Sequence, residues 1–223
     1  MDPLLDEQVA YYRAIAPEYH DHALQQVDGT ELQAAIAAAA LTGDVLELAC
    51  GPGGWTRILA RSATTLTAVD ASPEMLALAA EQAPDARFIT ANLFEWEPDR
   101  RYDAVFFGFF LSHVPEARFD AFGALVARAL RPGGRVLFAD DGYITPDERV
   151  YGDGERIRRR LHDGSAFDIV KVPHEPAALE ARLRALGWDV RVYAAAPFYW
   201  GEGTAPSQQT HSFGADTGGD EQR

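Results

Sequence analysis

The chain has 223 residues, of which 47% are hydrophobic, so it is long enough to bury the core of one full-sized domain. Lys and Arg number 20 against 34 Asp and Glu, and the net charge of -14 argues against a nucleic-acid partner because it repels phosphate backbones. The single cysteine, Cys50, excludes an intrachain disulfide and a four-thiolate zinc site.

The apolar stretches are short. The longest of them, such as Ala34 to Leu41 and Ala104 to Leu111, fall well below the ~20 residues that a membrane-spanning helix requires. The first residues are acidic and lack the basic and apolar regions of a secretory signal. We therefore expect a cytoplasmic protein without a membrane partner.

In chain order, the pattern begins with two helices, about Glu7–Ile15 and Glu31–Leu41, which we interpret as an N-terminal helical lid over residues 1–42. From Val45 onward, short apolar β-rich runs alternate with helical patterns, as expected of a parallel sheet covered by helices on both faces. The predicted strands are Asp44–Ala49, Leu66–Asp70, Arg87–Thr90, Tyr102–Phe107, Arg135–Ala139 and Val190–Ala194. The predicted helices are Trp55–Arg61, Pro73–Gln82 with Ser72 as N-cap, Ala117–Leu130, and Pro176–Leu186 ended by Gly187.

Two further segments complete the predicted organisation. After the fifth strand, residues 156–172 predict an inserted β-hairpin with Asp163-Gly164 in its turn. Residues 204–223 are polar and rich in Gly, Ser, Thr and Asp, which predicts a disordered tail. The core domain is then expected over residues 43–203.

The strongest chemical signal is the run from Val45 to Thr56, where an apolar strand enters a glycine-rich turn and then a helix. A Gly-x-Gly turn is a weak signal by itself. However, Asp70 ends the next strand 19 residues after Gly51, where a carboxylate can accept hydrogen bonds from both ribose hydroxyls. Asn92 follows the third strand and carries an amide suited to an adenine edge. Together these residues predict an adenosine site at the carboxyl edge of the sheet.

This set of motifs resembles the class I S-adenosylmethionine (SAM)-dependent methyltransferases over roughly residues 10–203. The motifs are Glu47-x-x-Cys50-Gly51-x-Gly53, Val69-Asp70-x-Ser72-Pro73-x-Met75, Asn92, and Tyr102-Asp103-x-Val105. The run Leu111-Ser112-His113-Val114-Pro115 further resembles the small-molecule branch. The resemblance implies an α/β fold: a Rossmann-like, seven-stranded, mostly parallel sheet with helices on both faces. Its last strand would be antiparallel and include Phe198–Gly203.

The resemblance also implies roles for individual residues in binding SAM, with S-adenosylhomocysteine (SAH) as the product. Gly51 and Gly53 would line its methionine part, Glu47 would hold the ammonium group, and Asp70 the ribose. Met75 and Leu93 would enclose the adenine, with Asn92 at its exocyclic amine. The remaining predicted contacts come from the turn, the fourth strand and the lid: Trp55, Phe109, Tyr11 and Tyr19. Aromatic faces suit a sulfonium because a cation over such a face gains roughly 0.5–2 kcal/mol.

Several of these residues have a second interpretation. Asn92 can cap a helix instead, and the lid tyrosines can simply pack the added helices onto the core. His113 is a candidate general base just after the fourth strand, or a histidine that fixes its loop. Asp140-Asp141 can bind a divalent metal or serve as turn and cap groups, and we predict no metal. Cys50 is expected to pack beside the cofactor and not to act as a nucleophile.

The predicted reaction is in-line transfer of the SAM methyl to an oxygen or nitrogen of a small-molecule acceptor, mainly through alignment. Candidate acceptor-binding residues are Tyr143, Arg159 and Tyr199. One alternative is a nicotinamide-dependent oxidoreductase, although Thr56 stands where that fingerprint has its third glycine. Another is a protein that binds SAM without catalysis. The oligomeric state is left open.

Overall fold

A computed structural model of the chain describes residues 2–21, 29–142 and 154–206. The α-helices are α1 (Pro3–Ile15), α2 (Thr30–Ala39), α3 (Thr56–Leu59), α4 (Pro73–Gln82), α5 (Phe119–Ala129) and α6 (Pro176–Ala185). The strands are β1 (Asp44–Leu48), β2 (Thr65–Asp70), β3 (Arg87–Thr90), β4 (Tyr102–Gly108), β5 (Leu130–Asp141), β6 (Arg156–Arg160), β7 (Ala166–Val170), β8 (Asp189–Ala195) and β9 (Phe198–Thr204). Within these residues, every helix is too short or too polar to cross a bilayer.

Seven strands form one sheet in the order β3-β2-β1-β4-β5-β9-β8. The first five strands of the chain pair in parallel, and β9 is antiparallel to both of its neighbours. The predicted Rossmann-like fold with a mostly parallel seven-stranded sheet is therefore confirmed. The strand order reverses between β1 and β4, and ligands of such sheets bind beyond the carboxyl ends of the strands at this point.

Alternation along the central strands divides the core between the two faces of the sheet. Leu46 and Leu48 of β1 contribute to one cluster, which also holds apolar side chains of α5 and α6. Val45 contributes to the other cluster, with Leu32 and Ile36 of α2. Because both faces are covered, β1 consists almost entirely of buried residues.

Helix α4 has the predicted bounds because its sequence contains a strong start signal. Ser72 Oγ accepts a hydrogen bond from Met75 N, and Pro73 occupies the first helical position. Helix α5 begins later than predicted, at Phe119, because residues Glu116–Arg118 form a 3₁₀ turn. Strand β9 includes Thr204, which was assigned to the tail, whereas the predicted tail from residue 207 lies outside the described residues.

Strands β6 and β7 form a separate antiparallel hairpin within the segment predicted for one. Ile157 and Ile169 on this hairpin pack with Tyr11 and Ile15 of α1. The N-terminal helix thus lies on the hairpin, in contact with α4 and β7, and not on an edge of the main sheet.

Candidate active site

A cavity of about 380 Å³ opens at the carboxyl edge of β1, β2 and β4, a size typical of a small-molecule site. Most residues predicted to bind the cofactor lie on its wall. The predicted residues that line it are Tyr19, Gly51, Trp55, Asp70, Met75, Asn92, Leu93, Phe109, His113 and Arg159.

Two of the three glycines in the turn, Gly51 and Gly53, were predicted to line the methionine part of SAM, and their surroundings differ. Gly51 has φ +53°, faces the cavity, and donates its N–H to Asp70 Oδ2 at 2.9 Å. Gly53 has φ +90°, and a Cβ there would lie 2.6 Å from Ala79 Cα of α4. Gly53 therefore allows α4 to approach the turn closely, and it lies outside the cavity lining, contrary to its predicted place beside the methionine.

Ala49 precedes this turn in the left-handed region, with φ +53°. We expect Ala49→Gly to raise the free energy of unfolding by about 0.5–1 kcal/mol, because glycine adopts this conformation without the Cβ clash. Urea denaturation is the measurement. The matched control is Ala77→Gly on the exposed side of α4, where the same change should lower stability by about 0.5–1 kcal/mol. Equal losses at both sites would contradict the prediction.

Asp70 ends β2 and connects the first two strand-end turns. Its Oδ1 accepts from Ser72 N and its Oδ2 from Gly51 N, both at 2.9 Å. Burial raises its pKa, and these backbone donors oppose the rise. A carboxylate offers about four acceptor positions, so lone pairs remain for ribose hydroxyls.

Asn92 combines the two roles considered for it. It lines the cavity, and its Oδ1 accepts a hydrogen bond from Phe94 N at 3.1 Å, which stabilises the turn after β3. An amide oxygen has two lone pairs, so serving this turn leaves the predicted contact with the exocyclic amine of adenine possible.

Glu47 lies in β1, just before the glycine turn, with 1% of its surface exposed. It does not line the cavity. Neither carboxyl oxygen has a hydrogen-bond partner among the described residues. Burial raises its pKa to about 8, the nearby Thr56 hydroxyl opposes the rise, and the charge of Asp70 adds to it. A buried carboxyl of this kind can attract a cation, and its contact with the ammonium group of SAM stays a prediction.

The structure places Tyr12, and not Tyr11, on the cavity wall. Tyr11 is 1% exposed and packs against Phe167 and Tyr12, at 5.8 Å and 5.0 Å between ring centroids. Its predicted contact with SAM is therefore replaced by the packing interpretation. Tyr12 was missed, although its i,i+4 spacing from polar Gln8, which also lines the cavity, marks that face of α1.

Tyr19, predicted to contact SAM, lies on the cavity wall. Burial raises the pKa of its hydroxyl to about 12, partly offset by the charge of Arg159. It is therefore a neutral phenol at physiological pH and serves as a hydrogen-bonding or aromatic surface.

His113 lies in a 3₁₀ turn after β4 and is 3% exposed. Its Nδ1 is 2.6 Å from Val170 O of the hairpin, and its Nε2 is 3.0 Å from Tyr12 Oη. The ring thus fastens its loop to the hairpin and also lines the cavity, so both interpretations of this histidine remain compatible with its position.

Asp140 and Asp141 at the end of β5 belong to a buried polar cluster with Ser112 and Lys171. Lys171 Nζ contacts Asp141 Oδ1 at 2.7 Å and Ser112 Oγ at 3.1 Å. Asp140 accepts from the N–H and the hydroxyl of Ser112. The acidic pair therefore acts as cap and ion-pair partner, and residues 2–21, 29–142 and 154–206 contain no group of three or more potential metal ligands.

Two of the three candidate acceptor residues are described by the structure, and only one of them lines the cavity. Arg159 is 8% exposed and lines the cavity, with its guanidinium carbon 5.7 Å from the centroid of the Tyr11 ring. Tyr199 is 1% exposed in the apolar core behind β5 and does not reach the cavity, contrary to expectation. Tyr143 lies outside the described residues.

Known proteins are similar to this chain in both sequence and fold. Residues 45–134 match a family profile described as a methyltransferase domain. A solved complex of DhpI with SAH is 40% identical, with a TM-score of 0.80, over 91% of this chain and 97% of that one. A complex of DhpI with SAM and HEP is 39% identical, with a TM-score of 0.78. The latter alignment covers 91% of this chain and 98% of that one.

A curated relative matches over a shorter region. Trans-aconitate 2-methyltransferase of Escherichia coli O139:H28 (strain E24377A / ETEC) is 31% identical over 104 residues. The match covers 46% of this chain and 41% of the relative, so it spans less than half the length of either protein. The near-complete alignment with DhpI, together with the strand-end residues around the cavity, identifies the family. The chain belongs to the class I SAM-dependent methyltransferases, a family whose cofactor is SAM.

Proposed function

We propose that the protein transfers the methyl group of SAM to an oxygen or nitrogen of a small acceptor that carries an anionic group. Arg159 carries the proposal: its guanidinium is charged at any physiological pH, yet the side chain is almost buried on the cavity wall. A guanidinium binds carboxylate and phosphate groups through charge-assisted hydrogen bonds, often two at once. Its position on the wall would therefore attract an anionic group of an acceptor in the cavity.

The proposed place of SAM follows from the strand ends. Asp70 accepts from the ribose, Met75 and Leu93 enclose the adenine beside Asn92, and Gly51 leaves room for the methionine part. The unpartnered carboxyl of Glu47 takes the ammonium group. Bound SAM would supply a sulfonium-activated methyl group: the acceptor atom bonds to the methyl carbon as the carbon–sulfur bond breaks, and SAH leaves.

The contribution of the chain is alignment and exclusion of water. The Trp55 and Phe109 rings lie on the wall in a tilted arrangement, 5.9 Å apart between centroids, and Phe109 has φ +56° while its N–H donates to Ala139 O. We expect this aromatic wall to help align the reacting groups, and good alignment supplies on the order of 7–11 kcal/mol. The relatives support a small acceptor, since one of them is named for trans-aconitate, a polycarboxylate.

The experiment is methyl transfer from SAM to a panel of small hydroxy and amino acids, with SAH formation as the readout and neutral amide analogues in parallel. Arg159→Met should raise KM for the anionic acceptor roughly 10- to 150-fold, as expected for a lost charged hydrogen bond. The affinity for SAH should change little. The matched control is Arg160→Met, which removes the same charge from an exposed position of the same strand.

Equal use of neutral and anionic acceptors, with no effect of Arg159→Met, would contradict the anionic class. SAM binding without turnover of any acceptor would instead favour a non-catalytic SAM-binding protein. Binding of NAD in place of SAM would instead support a nicotinamide-dependent oxidoreductase.

A further inference from the structure

The protonation state of the His113 ring is defined by its partners. Nδ1 is 2.6 Å from the carbonyl oxygen of Val170, which can only accept a hydrogen bond, so Nδ1 carries the proton. In the neutral ring, Nε2 then has a lone pair. Tyr12 Oη lies 3.0 Å from Nε2, so the Tyr12 hydroxyl donates to it.

Three elements hold this arrangement in place. Gln8 of α1 donates from Nε2 to His113 O and accepts from Val170 N at Oε1. The adjacent Ser112 is fixed by Asp140, and its carbonyl accepts from Val172 N at 2.7 Å. Since helix, hairpin and sheet all contribute, the ring orientation is built into the fold and does not depend on one contact.

Tyr12 and His113 both line the cavity. A hydroxyl oxygen that donates its single proton still has two lone pairs, so Tyr12 can accept a hydrogen bond from a group inside the cavity. Burial raises the pKa of Tyr12 well above its ordinary value, and the charge of Arg159 only partly opposes this. Tyr12 can therefore accept a proton from the acceptor only if a second group takes the proton of the Tyr12 hydroxyl.

We propose that Tyr12 and His113 act as one proton-accepting pair, and that Tyr12 is a catalytic residue. The proposal rests on the proposed methyl transfer. As the acceptor's O–H or N–H bond breaks, that proton moves to the Tyr12 oxygen while the Tyr12 proton moves to His113 Nε2. The electron pair released on the acceptor atom forms the new bond to the methyl carbon. The positive charge of SAM is thereby transferred to the imidazolium, and SAH and the methylated acceptor leave without it.

Several charged or titratable side chains surround Tyr12 and His113. Arg159 of β6, Asp140 of β5, and the neighbouring Tyr11 and Tyr19 face Tyr12, and Lys171 follows Val170 at the end of the hairpin. The imidazolium formed during transfer keeps both of its donors paired, with Val170 O and Tyr12 Oη.

The test uses full-length protein, SAM, and the hydroxy or amino acid with the highest turnover in the panel. Tyr12→Phe removes only the hydroxyl, whereas His113→Gln keeps a donor for Val170 O but has no basic nitrogen. Each should lower the single-turnover rate roughly 10²- to 10⁴-fold while the affinity for SAH changes less than about twofold. The double variant should be no slower than the slower single variant, because the two groups act in one step. Tyr193→Phe, at an exposed position on β8, is the control and should leave the rate unchanged.

Other results overturn the pair. A slow His113→Gln protein beside a wild-type rate for Tyr12→Phe would make His113 the direct base. Wild-type rates for both variants would remove the pair and leave the proposed function standing. If no panel member is methylated, the proposed function fails. The hydrogen-bonded pair of Tyr12 and His113 is then tested by ¹⁵N NMR of the histidines in the SAH complex. A proton on His113 Nδ1, together with an Nε2 chemical shift that changes in Tyr12→Phe, would support the pair. A proton on Nε2 overturns it.

Discussion

Replacing Lys171 by Met is expected to lower the free energy of unfolding by about 3–5 kcal/mol, because it leaves the carboxylate of Asp141 buried without its cation. Both side chains of this ion pair are essentially inaccessible, with 0% and 1% exposed. Urea denaturation followed by circular dichroism measures the loss. The matched control is Arg128→Met, which breaks an ion pair with Glu97 in which both side chains are at least half exposed, and it should cost less than about 1 kcal/mol.

The loss should also depend on pH. Burial raises the pKa of Asp140, and the charge of Lys171 opposes that rise, so removing the lysine raises the pKa further. A carboxyl whose pKa is higher in the folded than in the unfolded state gives stability that is present at low pH and lost as the pH rises through the folded pKa. The deficit of Lys171→Met should therefore be larger near pH 8 than near pH 5.

The double variant Lys171→Met/Asp141→Asn provides a further check. It removes the second charge of the pair, so it should recover part of the lost stability. A deficit equal to that of Arg128→Met, or one independent of pH, would show that the cluster does not behave as a buried ion pair.

The sequence predicted the fold well where local signals and burial agree. Strand β3 and helix α4 have the predicted bounds, since Ser72-Pro73 defines the helix start regardless of the rest of the chain. The strand-end residues Gly51, Asp70 and Asn92 also lie where the alternation of strands and helices placed them, because parallel strands bring their carboxyl ends to one edge.

The errors involve residues whose surroundings come from distant parts of the chain. Adjacent tyrosines on α1 point to different sides, and only the hairpin, more than a hundred residues later, decides that Tyr11 packs and Tyr12 faces the cavity. Tyr199 was assigned to the acceptor site, but β9 is inserted between β5 and β8, which places this side chain in the core. Lys171 gave no signal, because a lone lysine near a strand end is usually solvated.

The cofactor site is most directly tested at Asp70. Replacing Asp70 by Ala removes the proposed acceptor of the ribose hydroxyls and also the hydrogen bonds that hold Gly51 and Ser72. We expect SAM and SAH to bind roughly 10- to 150-fold more weakly, which corresponds to about 1.5–3 kcal/mol for charged hydrogen bonds. Isothermal titration calorimetry measures the change, and Asp85→Ala, at an exposed position before β3, is the control.

Asp70→Asn separates contact with the ligand from support of the turn. The amide keeps the shape of the side chain and one acceptor oxygen, so one of the two backbone hydrogen bonds can persist while the negative charge is lost. We therefore expect an affinity between those of wild type and Asp70→Ala, with a smaller loss of stability than in the alanine variant. If Asp70→Ala lowers stability but binds SAH as tightly as wild type, the carboxylate only supports the turn. In that case the ribose must be held elsewhere in the cavity, and the assignment carried by the spacing from Gly51 is wrong.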